Sequence, residues 1–210
     1  MSEDGVRGLS DAVLERLDTA VDDLLALPLS GESDQQILAI WQHLERLSRR
    51  LAAADHAPIG QITTRGLTQA HGARSVACFA RQALRISVRE ASARVRAAAA
   101  GPRASLTGEL LPAEFPVVAA AQAAGDLSPA QARVVVRTVQ GLPDALRDAH
   151  EDAVEEFLVA QGRIFDPDTL TTLARRLSDT LDPDGTLRHH LPPPAPRPHP
   201  APAPGRLVAP

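Results

Sequence analysis

At 210 residues the chain suffices for one or two domains, and an apolar content of 44% is enough to build a core, which excludes a wholly disordered polypeptide. Aromatics make up only 2%, so core volume must come from Leu, Val and thirty-seven Ala, small helix formers that favour close-packed helices over a sheet. All twenty-two basic residues are Arg, and a net charge of −4 argues against indiscriminate nucleic-acid binding by the whole chain.

In chain order, Ser10 reads as the N-cap of a first helix, with Leu14, Leu17, Val21 and Leu24 at helical spacing up to Leu27-Pro28. Ser33 and Gln36 form a capping-box pattern for a second, whose Ile37, Trp41, Leu44, Leu47 and Leu51 share a face; the pair reads as an antiparallel hairpin. Pro58 ends or kinks the second helix, and the stretch to Arg65-Gly66 is open to continuing it. Ser75 caps a helix over residues 76–84, and Ser87 with Glu90 makes another capping box for a helix running to about Ala100, stopped by Gly101-Pro102. Residues 103–114 have no clear period and are expected to form an ordered loop. Pro116 opens a short helix closed by Gly125, Ser128-Pro129 opens one closed by Gly141, Pro143 opens the next, and Asp166-Pro167 opens the last, ending at the turn Asp182-Pro183-Asp184-Gly185. The expected class is all-α, a multi-helix bundle of about eight helices, with residues 1–32 an N-terminal helix and linker and 33–187 the helical domain. Nine of the eighteen Pro lie in residues 192–210, so 188–210 is expected to be a disordered Pro-rich tail.

The charge is unevenly distributed. Residues 1–71 hold eleven acids against six Arg, and 104–190 hold fourteen against seven, but 72–103 hold seven Arg against Glu90 alone. A basic segment between acidic flanks is either an anion-binding surface or the internal partner of those flanks. On the helix after Ser87, Val88, Ala91, Val95 and Ala98 define the expected buried stripe. At about 100° per residue, Arg89, Ser92 and Arg96 fall within about 60° of one another on a neighbouring face, with Arg85 pointing the same way from the turn. A helix-turn-helix presents its second helix to a DNA groove in this manner. The candidate contacts are therefore Arg85, Arg89, Ser92 and Arg96, with Arg74, Arg81 and Arg103 neutralising phosphate. The bland alternative is a solvated face, or ion pairs to Glu151, Asp152, Glu155 and Glu156.

Enzyme signatures are absent. His43, His56, His71 and His150 are scattered and read as surface or capping residues, and adjacent His189-His190 would leave a helix about 100° apart, unsuited to sharing a metal. Glu155-Glu156 and Asp22-Asp23 read as solvated helix faces, not catalytic carboxylate pairs. There is no phosphate loop, and neither a metal nor a cofactor is expected. The single Cys78 reads as a reduced, buried thiol. The longest uncharged run before the tail, residues 115–125, is too short to cross a bilayer, and the acidic start does not read as an export signal. A cytoplasmic location is expected.

Several segments occur together in order: Gly72-Ala73-Arg74-Ser75; Leu84-Arg85-Ile86-Ser87 into Glu90-Ala91; Leu106-Thr107-Gly108-Glu109; Ala124-Gly125-Asp126-Leu127-Ser128 into Ala132-Arg133-Val134; and Leu181-Asp182-Pro183-Asp184-Gly185. Over roughly residues 35–187 this set resembles the actinobacterial domain of unknown function 222, the N-terminal region of HNH endonucleases of the thirteen-E-twelve repeat family. The resemblance implies a DNA-associated role, with the nuclease chemistry in a C-terminal HNH module whose motif these residues lack. In that family an Arg/His-rich segment follows the Asp-Pro-Asp-Gly turn. Codons alternating His and Arg encode proline in another frame, so the tail is expected to mark a frameshifted or truncated copy; the competing reading is a genuine partner-binding tail. The resulting expectation is a non-catalytic domain that holds DNA. The rival is a helical scaffold forming a homo-oligomer through the N-terminal hairpin, with no membrane contact in either case.

Overall fold

The computed structural model describes residues 3–99, 101, 103–104 and 110–183. The proline-rich tail, His189-His190 and the segment Leu106-Thr107-Gly108-Glu109 lie outside them. Contacts divide the chain into two units, residues 1–48 and 49–210.

The first unit holds α1 (Glu3–Leu25), a single 3-10 turn (Leu29–Gly31) and most of α2 (Asp34–Ala54). Ser10, expected to cap the first helix, lies inside it instead, because residues 3–9 are already helical. The capping box at α2 is present: the Ser33 N–H donates to Gln36 Oε1 at 3.0 Å, and the Gln36 N–H donates to Ser33 Oγ at 3.4 Å. The apolar faces are correctly periodic, yet neither forms a core. No described side chain in residues 8–48 is buried, and Trp41 is 72% exposed. The two helices therefore do not bury their Leu-rich faces against each other.

The second unit takes in the end of α2, then α3 (His56–Thr64), α4 (Leu67–Ala70), α5 (Val76–Leu84), α6 (Val88–Ala98), α7 (Pro116–Ala124), α8 (Pro129–Gln140), α9 (Asp144–Gly162) and α10 (Pro167–Leu181). Pro58 sits in the first turn of α3, where its missing N–H costs nothing, so the stretch after α2 forms helices of its own and does not extend α2. The loop after α6 contains a two-residue antiparallel ladder, β1 (Arg103–Ala104) against β2 (Leu110–Leu111), which no alternating pattern announces.

The core lies among α7–α10. Leu127, Leu158, Leu170, Val118, Val135, Val139 and Val159 are its largest fully buried side chains, aliphatic throughout as the composition requires. Helix starts were legible locally. Ser128 and Gln131 form a complete capping box on α8, and the Asp166 carboxylate accepts from the Asp168 and Thr169 N–H groups at 2.9 and 3.0 Å on α10. The Thr169 hydroxyl and amide hold the Asp166 carboxyl below the usual carboxylate range. At the other end of α7, Gly125 adopts φ 80°, the left-handed conformation that closes a helix. Arg50 Nε donates to the Ala123 carbonyl and Arg49 Nη1 to the Asp126 carbonyl, both at 3.2 Å, placing cations at the negative end of α7. The α9 end is held closely: a Cβ at Gly162 would lie 2.6 Å from Leu127 Cδ2.

Candidate nucleic-acid interface

The basic segment folds as its caps specify. Ser75 Oγ accepts the Cys78 N–H at 3.1 Å to start α5, and Ser87 Oγ accepts the Glu90 N–H at 3.1 Å to start α6. The second half of the expected box at α6 is missing, because the Glu90 carboxylate accepts instead from Arg94 Nη2 at 2.7 Å, one turn along the helix. The connection between α5 and α6 has no Gly. Arg85 supplies the left-handed residue itself, at φ 55°. That conformation costs a side-chain-bearing residue about 1 kcal/mol, so Arg85→Gly is expected to stabilise the protein by about 0.5–1 kcal/mol, raising Tm by about 1–4 °C in thermal unfolding. A lower Tm would refute it.

Arg74, Arg81, Arg85, Arg89 and Arg96 are all exposed, and none is in an ion pair among the described residues. Ser92 is half-buried. Arg103 has its backbone in β1, and its side chain lies outside the described set. The internal-partner role falls to the one arginine of the segment left out of the candidate contacts: Arg94 Nη1 reaches Asp55 Oδ2 at 2.9 Å while Nη2 holds Glu90. Asp55 and Glu90 thus absorb one guanidinium, and Glu151, Asp152 and Glu156 stay exposed without pairing to the basic segment among the described residues. The inward stripe is carried by Ala91, fully buried, and Ala98, with Val95 half-buried. Val88, expected at its head, is 60% exposed because it is the first residue of α6, at the projecting turn with exposed Leu84.

Three other expectations are corrected. Cys78 is half-buried and free, since α5 sits at the edge of the unit and not in the α7–α10 core. His56 is buried, and burial lowers its imidazole pKa against the opposing charge of Asp55. Glu155 is buried, not solvated: its Oε1 accepts the Val118 N–H at 2.8 Å. Burial pushes its pKa up, against the lowering by the Val118 and Val117 amides.

Beside the α6 face lies a hollow of about 640 Å³, walled by α3, α6, α7 and α8. Arg94, Arg96, Arg133 and Arg137 line it. Segment-wide charge counting hid Arg133 and Arg137 inside an acidic region. Their i, i+4 spacing on α8, opposite buried Val135 and Val139, was the signal that could have found them. Among the described residues no group of three or more His, Cys, Asp or Glu is placed to hold a metal, and no helix is long and apolar enough to cross a membrane.

Residues 38–197 match the family described as Domain of unknown function (DUF222). The chain belongs to that family. Relatives include an uncharacterized protein of Mycobacterium tuberculosis (strain ATCC 25618 / H37Rv), 36% identical over 175 residues, 83% of this chain and 38% of the relative. A second uncharacterized protein of that strain is 33% identical over 170 residues, 80% of this chain and 38% of its own length. One from Mycobacterium bovis is 32% identical over 175 residues, 83% and 38%. The DUF222 chain thus spans about two fifths of these relatives. No solved structure matches it. The ordered motifs that carry the resemblance now have local roles: Ser75 and Ser128 cap helices, Arg85 and Gly125 supply left-handed turns, and Leu127 is core.

Proposed function

We propose that this DUF222 domain holds DNA for an HNH endonuclease module attached to it in larger proteins, working in the cytoplasm and carrying no chemistry itself. The observation behind this reading is the set of exposed arginines around the α5–α6 turn, above all Arg85, Arg89 and Arg96, which have no carboxylate partner among the described residues. Groups left unpaired in this way can exchange water and counterions for phosphate oxygens, and Arg at the start of α6 can reach groove edges. Arg74 and Arg81 add phosphate neutralisation, with Ser92 a lesser contact.

Titrating duplex DNA at two salt concentrations tests it. Arg89→Ala and Arg96→Ala should each weaken binding severalfold at low salt and reduce the log–log salt slope by about 1. Equal affinities for both variants and the parent would eliminate the assignment. A second reading, a homo-oligomer through α1 and α2, is favoured by the exposed Leu14, Leu17, Leu24 and Trp41. Association through such side chains varies little with salt, so sedimentation at the same two salt concentrations separates the readings.

A further inference from the structure

The hollow between α3, α6, α7 and α8 contains two buried polar side chains that the fold leaves unused. Gln122 is 2% exposed and His56 is 6% exposed, and neither side chain has a hydrogen-bond partner among the described residues. Yet no buried polar side-chain atom among the described residues is both sealed from solvent and unsatisfied. The polar atoms of Gln122 and His56 therefore keep a small opening, and both residues line the hollow. His56 packs one ring edge against Gly101, where a Cβ would lie 2.9 Å from Nδ1. Polar atoms that open onto the hollow and have no partner from the protein are free to bond a molecule that enters it.

Around these two the wall changes character. Ala93, Ala97 and Ala132 are small and apolar and let a flat ring approach the helices closely. Arg96, Arg133 and Arg137 are exposed and have no carboxylate partner among the described residues, whereas Arg94 is already held by Asp55 and Glu90. The hollow thus has a basic rim, an apolar wall and a buried amide donor–acceptor pair. Its volume of about 640 Å³ lies within the range of small-ligand sites.

We propose that this hollow binds a nucleoside monophosphate, with its phosphate on Arg133 and Arg137 and its base edge against Gln122 and His56. Guanidinium matches phosphate by bidentate hydrogen bonding, and a Gln amide offers the adjacent donor and acceptor that a base edge presents in reverse. Burial keeps the His56 imidazole neutral near pH 7, so one ring nitrogen donates while the other accepts. Arg96 borders both surfaces, but Arg133 and Arg137, on which the phosphate rests, are not among the residues assigned to duplex contact.

Calorimetric titration of the full chain with the four common nucleoside monophosphates tests the proposal, with adenosine and inorganic phosphate as partial probes. At least one monophosphate should bind at least tenfold more tightly than either probe. Arg133→Ala with Arg137→Ala, both on the exposed side of α8, should cost at least tenfold, while Arg89→Ala should leave binding unchanged. Gln122→Leu should level the differences among the four bases. His56→Asn provides a second variant that changes base discrimination should Gln122→Leu fail to fold. A short single strand that competes assigns the site to a nucleotide unit of a polymer, and one that does not assigns it to the free nucleotide; either outcome supports the site. Absence of monophosphate binding, binding no tighter than inorganic phosphate, or an unaffected arginine double variant would overturn it. Each of those results would leave the duplex titration untouched.

Discussion

Gln131→Leu is expected to cost about 3 kcal/mol, read as a lower urea midpoint with an unchanged slope. The side chain is 4% exposed and joins two helix ends. Its Nε2 donates to the carbonyls of Gly162 and Phe165, both at 2.7 Å, where α9 runs out of partners of its own. Its Oε1 accepts the Ser128 N–H at 2.8 Å, closing the cap on α8. Leucine fills a similar volume but leaves all three groups unpaired, and the Gly162 carbonyl lies in a buried setting where water replaces the bond poorly. Gln131→Glu keeps the acceptor but sets a carboxylate against two carbonyl oxygens, so it should be as damaging at neutral pH. A loss below about 1 kcal/mol for Gln131→Leu would show that solvent reaches these groups.

Glu155→Leu should cost about 2–3 kcal/mol by the same measurement. Helix α7 begins at Pro116, and Phe115 before it has no capping side chain. Glu155 on α9 supplies the missing acceptor from 37 residues away, taking the Val118 N–H on Oε1 and assisted by the Val117 amide. Glu155→Gln retains a carbonyl acceptor and should cost much less. The comparison between parent and Gln variant also carries a pH signature. Burial raises the folded-state pKa above the ordinary Glu value. The resulting advantage is fully present below the unfolded-state pKa and is lost as pH rises through the raised folded one. The parent should therefore lose stability relative to Glu155→Gln on going up through that window, then level off. A difference that is flat with pH, or that grows with rising pH, would contradict the burial of the charge.

What the sequence disclosed and what it hid follow from range. The caps at Ser33, Ser75, Ser87, Ser128 and Asp166 depend on a side chain reaching an N–H two or three residues on, so a short window contains all the physics. The same holds for Gly125 and for the apolar stripe of α8. Glu155 was misread because its partners lie on α7, with nothing beside Glu155 in sequence to show that they await it. The partner of Arg94 was hidden for the same reason, since Asp55 is 39 residues away. Periodicity correctly grouped Leu14 with Leu24 and Ile37 with Trp41, but a stripe says only which residues face one way, not what covers them. The hollow was invisible because it is assembled from four helices, with one buried amide and two arginines counted elsewhere.

The close approach of Gly162 to Leu127 ties two distant positions into a single volume constraint. With Leu127 wholly enclosed, it has no room to retreat from even one added methyl group. Any descendant of this chain that gains a side chain at 162 must therefore trim the one at 127, and the elbow joining α7 to α8 cannot drift in sequence independently of the far end of α9.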